Sequence, residues 1–298
     1  VFKTTADGAS SPTERLRIDS NGRLLLGTDT ARAVGGESNP VLHIEGSGNT
    51  SNSWVNITRF QSTTAGPNLQ FAKARSNTPG TYTLVQSDDT LGTISFLGAD
   101  GTDMANYAAT IKAEVDGTAA SNDMPGRLVF STTSDGSGTA TERMRIRNNG
   151  LVTKPYQYYL LVDRSSDLGG YDANGSFGTP LIFNRIVTEQ KDSSMSSAFN
   201  TSTGLFTAPV SGVYQLIASA YNISGVSFTQ SWFTYNGGRM SYSDWVAATG
   251  VAIVQNSQIV YLAAGSTVGY HPHAGGGNTS ITIQANGNHT YMKITLLH

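Results

Sequence analysis

The stretch VFKTTADGASSPTERLRIDSNG (Val1–Gly22) recurs without a gap as VFSTTSDGSGTATERMRIRNNG (Val129–Gly150). The offset is constant at 128 residues, and the shared residues include Val-Phe, Thr-Thr, Asp-Gly, Thr-Glu-Arg, Arg-Ile and Asn-Gly. A match of this length marks a repeated module. Within it Leu16 and Ile18 alternate with Arg15, Arg17 and Asp19, and Met144 and Ile146 with Arg143, Arg145 and Arg147. That period of two predicts strands with one apolar face. Both runs close on Asn-Gly (Asn21-Gly22 and Asn149-Gly150), which predicts type I′ hairpins, because both central residues of that turn need positive φ. The chain opens inside a module, so the expectation is a piece of a longer modular polypeptide.

Composition narrows the classes. The 298 residues leave room for two or three domains. Charged residues make up 13% and the formal net charge is −2, which gives no electrostatic footprint for nucleic acid or an anionic membrane. No apolar run approaches the roughly 20 residues that span a bilayer, so membrane insertion is not expected. Cysteine is absent, which excludes a disulfide scaffold, a thiolate metal site and a cysteine nucleophile. The 33 glycines, with dense Ser, Thr and Asn, fit short strands joined by tight turns.

Further strands are predicted at Val41–Glu45, Trp54–Phe60, Asn68–Lys73, Thr83–Gln86, Thr93–Leu97 and Arg127–Phe130. Residues Met104–Ile111 fit either a short helix or the start of a strand through Ile111, Ala113 and Val115. One such meander cannot bury its apolar face alone. Stacked modules or identical chains wrapped around an axis would bury it, and a 128-residue offset is too long for a solenoid coil. The repeat ends at Leu151–Tyr159. Longer apolar runs follow at Pro180–Val187, Val213–Tyr221, Val251–Val254, Gln258–Ala263 and Tyr291–Leu297, the pattern of a β-sandwich with its own core. The expected division is 1–39, the end of an upstream stalk repeat; 40–154, a β-rich stalk module; and 155–298, a head.

Four strings resemble the distal shaft of bacteriophage tail fibres: TLGTISFLGADGTD (Thr90–Asp103), AEVDG (Ala113–Gly117), NDMPGRLVFSTT (Asn122–Thr133) and TERMRI (Thr141–Ile146). The resemblance spans nearly all of 1–150 and implies an intertwined trimeric β-stalk. Residues 156–298 resemble the globular head of the complement first component, which shares its jelly roll with tumour necrosis factor. The carrying residues are TPLIFNRIV (Thr179–Val187), FNTSTGLFTAPVSGVYQLIASA (Phe199–Ala220), LAAGSTVGY (Leu262–Tyr270) and TYMKITLLH (Thr290–His298). Within them Thr203, Gly204, Phe206, Ala208, Pro209, Gly212 and Tyr214 fill that family's turn-to-strand motif. That family forms compact trimers. The expected fold is therefore all-β: an intertwined trimeric β-stalk followed by a jelly-roll β-sandwich head.

Candidate sites follow from these readings. In SFTQSWFTYNGGRMSYSDWV (Ser227–Val246), Trp232, Tyr235, Tyr242 and Trp245 could stack on sugar rings, and Asn236, Arg239 and Asp244 could bond hydroxyls or acidic substituents. The competing readings put Trp232 and Phe233 in a core strand, or aromatics between protomers. His271 and His273 from three chains could hold an octahedral metal ion on the trimer axis; the plainer reading is an exposed His-rich loop beside Gly275–Gly277, and no other cofactor is expected. His298 has no evident partner. Asp100, Asp103, Glu114, Asp116 and Asp123 could pair for glycoside hydrolysis or bind calcium, whereas the turn contexts of Asp100, Asp116 and Asp123 point to backbone folding. The Thr-Glu-Arg triplets predict ion pairs between strands or chains. The expectation is a non-enzymatic phage tail-fibre tip on the virion tail: a homotrimer joined to other tail proteins and binding a host cell-surface glycan. The alternatives are a tailspike-like depolymerase and a head that serves only as a trimerisation clamp.

Overall fold

The computed structural model describes residues 1–36, 40–48, 53–173, 179–192, 195–223, 228–240, 244–245, 252–274 and 280–297. It divides into two units, Val1–Lys154 and Pro155–His298. Every regular element among the described residues is a strand.

The first unit holds two sheets. One is β1 (Phe2–Thr4), β2 (Thr13–Ile18), β3 (Leu24–Leu26) and β4 (Leu42–Ile44), in that order. The other is a five-stranded meander of β5 (Thr90–Leu97), β6 (Tyr107–Val115), β7 (Gly126–Thr132), β8 (Thr141–Ile146) and β9 (Val152–Thr153). Strand β6 settles the ambiguity at Met104–Ile111 in favour of a strand. The sequence repeat is a structural repeat down to its irregularities. Phe2 pairs with Leu16 and Lys3 with Glu14, which leaves Arg15 as the extra residue of a bulge; Phe130 pairs with Met144 and Ser131 with Glu142, which leaves Arg143. A bulge shifts the alternation by one position. Glu14 and Arg17 therefore share a face and bond bidentately at 2.6 and 2.8 Å, as Glu142 and Arg145 do at 3.0 and 2.5 Å. The bulged arginines also match: Arg15 Nε donates to Thr4 Oγ1 at 3.0 Å and Arg143 Nε to Thr132 Oγ1 at 3.1 Å.

The Asn-Gly turns differ from the expectation. Gly22 and Gly150 have φ of +76° and +80°, but Asn21 and Asn149 stay at negative φ. Gly22 N donates to Asp19 O, and Gly150 N to Arg147 O. Each is a three-residue loop in which a type I turn is followed by a left-handed glycine, so only the glycine needs positive φ. The strands expected at Trp54–Phe60, Asn68–Lys73 and Thr83–Gln86 are not formed within the chain.

The second unit is a two-sheet sandwich. Its strands are β10 (Tyr159–Asp163), β11 (Leu168–Asp172), β12 (Arg185–Gln190), β13 (Phe199–Asn200), β14 (Leu205–Thr207), β15 (Gly212–Asn222), β16 (Phe228–Tyr235), β17 (Gly238–Arg239), β18 (Asp244–Trp245), β19 (Ala252–Leu262), β20 (Thr267–Ala274), β21 (Ser280–Ile283) and β22 (Tyr291–Leu296). One sheet runs β11-β21-β15-β22-β10-β12 with β19 along β15; the other runs β13-β14-β20-β16-β17 with β18 on β16. The two expected runs Val251–Val254 and Gln258–Ala263 are the single strand β19, through the buried Asn256, whose Nδ2 donates to Ser231 O at 2.9 Å. The run Pro180–Val187 becomes a strand only from Arg185.

Inward rows of both sheets meet in one core that includes Leu160, Phe183, Phe206, Tyr214, Leu216, Phe233, Tyr270 and Ile294. The turn-to-strand motif explains itself here. Gly204 has φ of +71°, and a Cβ on it would lie 2.6 Å from Leu181 O. Tyr214 is fully buried and donates to Val210 O at 2.8 Å, tying the strand to its preceding turn. Gly204→Ala should lower the unfolding free energy of the sandwich by about 2 kcal/mol or more through backbone strain alone. Tyr214→Phe should cost about 1 kcal/mol, the net value of one hydrogen bond. Chemical denaturation of each variant checks both.

Candidate functional site

Strand alternation sorts the aromatic stretch. In β16 Phe233 faces the core, its ring 5.4 Å from that of Tyr270. Neighbouring residues on a strand point to opposite faces. Trp232 and Thr234 therefore lie on the outer face of this sheet, where Trp232 is opposite His271, and Gln230 opposite His273. Trp232 is nevertheless only 6% exposed. The His271 ring stacks beside it at 6.1 Å and 10°, His273 lies at 5.3 Å, and the Arg239 guanidinium sits 4.5 Å over the indole. Arg239 Nη2 is held there by Gln230 Oε1 at 2.8 Å. A cation over an indole is favourable, most so where water is excluded. Trp232 is thus neither in the sandwich core nor open to solvent, but enclosed by a cation and two imidazoles.

The reading of His271 and His273 as an exposed loop is corrected: both are in β20, and His271 is 5% exposed. The cause is the period of two, which carries His271 and His273 to one face and brackets them around Trp232. His271 Nε2 lies 3.3 Å from Thr234 Oγ1. Burial pushes the His271 pKa down to about 4 and lowers that of His273, with the Arg239 cation adding to the effect on His273. Among the described residues no three His, Asp or Glu gather at one point.

The other candidates divide. Tyr235 ends β16 partly exposed, and its hydroxyl accepts from Ser266 Oγ at 3.2 Å. Asn236 (φ +48°) and Gly237 (φ +79°) form the two-residue turn between β16 and β17, and Asn236 Oδ1 accepts from Thr267 N at 2.8 Å. Asn236 therefore has a turn to hold. Tyr242 and His298 lie outside the described residues, as do the side chains of Asp244 and Trp245, whose backbone forms β18 opposite Ser231 and Gln230.

A feature the sequence reading missed is a cavity of about 370 Å³ in the sandwich unit. Trp232, His271, Tyr171, Asp172, Thr179 and Pro180 help to line it. The chain on either side is pinned to β20: Ala274 N donates to Ala173 O, and Leu181 N to Tyr270 O. Gly269 makes room for the cavity wall, since a Cβ there would meet Pro180 Cβ at 2.8 Å. The bare run Leu168–Ile182 has no periodicity to signal this.

Of the candidate carboxylates, Asp100, Glu114 and Asp116 are engaged in structure. Asp100 Oδ1 accepts from the backbone N–H of Thr102 and Asp103, and Asn106 Nδ2 reaches Oδ2. Arg127 binds Glu114 at 2.8 Å, Asp116 at 3.1 Å and Asp88 at 2.6 Å. Backbone N–H bonds, first those from Asp103, hold the Asp100 carboxyl below its usual range; the Asn148 N–H and then Arg127 do the same for Asp116. A general acid for glycoside cleavage needs the opposite shift.

No protein-family model matches the chain, and no curated protein matches it. Solved structures similar to part of it include three of note. The globular domain of zebrafish complement 1qA protein is 20% identical, with 48% of this chain and 98% of that one covered, at a TM-score of 0.34. The Eiger tumour necrosis factor of S. frugiperda is 12% identical, with 48% and 92% covered, at 0.37. The carboxy-terminal domain of the bacteriophage T5 L-shaped tail fibre is 17% identical, with 51% and 63% covered, at 0.38. At these identities and TM-scores no residue's role passes to this chain.

The buried His271 makes a pH prediction. Its folded pKa lies below its ordinary value of 6.5, so the unfolded state binds the proton more readily. Stability then falls as pH drops from about 6.5 towards 4. His271→Gln should flatten that loss, read as the difference between the two proteins' unfolding midpoints across this window.

Proposed function

We propose that this chain belongs to a homotrimeric, adhesive bacteriophage tail fibre whose sandwich head binds a host cell-surface glycan. The observation that carries the assembly is the outer face of the larger sheet. The inward row of β15 and its neighbours is core, so the opposite row faces away from it: Val213 opposite Tyr261, Gln215 opposite Ile259, and Tyr221 opposite Ile253. In the single chain Ile259 is 66% and Tyr261 63% exposed. Large apolar side chains grouped on one sheet face mark an association surface. Closing three heads over that face leaves the other sheet outward, with Arg239, Tyr235 and the cavity available to a ligand.

The chemistry of that outward face favours sugars. The cavity brings aromatic and proline walls together with a carboxylate, a threonine and a histidine, which suits a ring with an apolar face and a hydroxyl rim. Three such sites on one body gain by multivalency. This reading makes the fibre a recognition device and assigns no bond-breaking step.

Two measurements test it. Ile259→Asp with Tyr261→Asp should lower the head's thermal midpoint by well over 5 °C, because charges would be buried between chains. A freely exposed face would absorb the change within about 0.5 kcal/mol. For adhesion, the full protein should bind at least one of a panel of purified bacterial surface polysaccharides, and Asp172→Ala and Arg239→Ala should each weaken that binding about tenfold. Unchanged binding in both variants would remove this surface from the recognition role, and no binding to any polysaccharide would leave the head as a clamp.

A further inference from the structure

We propose that the cavity beside Trp232 takes one acetylated sugar residue, the acetyl carbonyl accepting a hydrogen bond from Trp232 Nε1–H and the acetyl methyl lying against the apolar wall. This rests on the glycan reading above and goes beyond it by naming the chemical group that is recognised and the atom that recognises it.

The faces of the indole are already engaged. The Arg239 guanidinium sits 4.5 Å over the ring, and the His271 and His273 rings pack beside it at 6.1 and 5.3 Å. Stacking of a sugar on Trp232 is therefore not the mode this arrangement offers. What the indole has left is its donor. Trp232 is only 6% exposed, it lines the cavity, and its Nε1 has no hydrogen-bond partner among the described residues. Buried indole N–H groups ordinarily find an acceptor, and one without it bears the full cost of its lost hydration. A ligand that supplies the acceptor recovers that cost.

The surroundings narrow the acceptor. Indole nitrogen donates and never accepts, so its partner needs a lone pair and no proton of its own. Leu168, Pro180 and Ile182 give the same cavity an apolar wall. An acetyl group answers both features with one carbonyl and one methyl, whereas a hydroxyl brings a further proton to place and no apolar part. The nitrogen is closed to solvent, which favours a group small enough to reach the deep end of the cavity. An acid is disfavoured. Among the described residues no Lys or Arg lines the cavity, burial holds the His271 pKa at about 4, and the Asp172 carboxylate stands exposed at the rim.

Size sets the extent of the ligand. Small-molecule sites run from about 300 to 1,000 Å³. At about 370 Å³ this cavity lies at the lower end and suits a single sugar residue rather than a length of chain. The acetyl group can be carried as an amide on an amino sugar or as an ester on a hydroxyl, and the carbonyl and methyl are common to both.

Indole N–H resonances of the whole protein test this directly, because the chain has 3 tryptophans and Trp232→Phe identifies the relevant signal by its loss. N-acetylglucosamine or 6-O-acetylglucose should move the Trp232 indole proton downfield, and glucosamine and glucose should not. A shift with the first probe alone assigns the amide, and with the second alone the ester; either supports the proposal. On a surface polysaccharide that binds the head, removal of acetyl groups should weaken binding about tenfold, and Trp232→Phe should do the same. Thr179→Trp, which fills the rim from an exposed position and leaves Trp232 in place, should also weaken it. A polysaccharide that binds equally well without acetyl groups, with the Trp232 signal unmoved by either acetyl probe, would overturn this inference and leave the glycan reading standing. No binding to any polysaccharide would overturn both.

Discussion

A strand has two faces, and this chain supplies cover for only some of them. In the sandwich the inward rows of two sheets bury each other around Phe206, Tyr214 and Tyr270, and that half of the problem is solved in cis. Among the described residues the outer row at Ile253, Ile259 and Tyr261 is exposed, as are Ile94 and Leu128 of the larger stalk sheet and Phe2, Ile18 and Leu42 of the smaller. Burial of apolar area is the dominant favourable term in folding and association alike. On the assembly proposed above another copy covers these faces, and the polar devices set their register.

The Thr-Glu-Arg triplet is such a device. The arginine bulge moves Glu14 and Arg17 to one side, and the same bulge moves Glu142 and Arg145. Part-exposed ion pairs of this kind contribute little stability each. Their value is positional: by fixing the bulge they keep Phe2, Leu16 and Ile18 in one row, and Phe130, Met144 and Ile146 in the corresponding row. A one-residue slip would send the whole apolar set to the polar side. In the sandwich, Arg239 over Trp232 plays a related part, since an indole on an outer face is held there by a cation and two imidazoles.

Much of this was readable from residues alone. The repeat, the period-two strands of the module and the turn-to-strand motif at Thr203–Tyr214 correspond to β2, β8, β14 and β15. Misreadings have physical causes. The Asn-Gly pairs lie within three-residue loops, where hydrogen bonding back to Asp19 and Arg147 sets the turn and only the glycine must be left-handed. Strand β19 looked broken because Asn256 is buried with a backbone partner, an arrangement that polarity alone hides. His271-Pro272-His273 resembled a loop by composition, yet pairing with β16 made it a strand. Trp54–Phe60 alternates like a strand and forms no ladder among the described residues. The cavity beside Trp232 is built by Tyr171, Asp172, Thr179 and Pro180, residues brought to β20 by bonds across the sheet that no local pattern encodes.

The central claim is that the faces left open by one chain are closed by its own copies. Light scattering on the eluting peak of this chain addresses it without any substitution. With one chain at 31.5 kDa, the account predicts a mass three times that, about 94 kDa, unchanged on dilution. A peak at 31.5 kDa would contradict it, because the exposed faces and unpaired backbone would then be stable in water on their own.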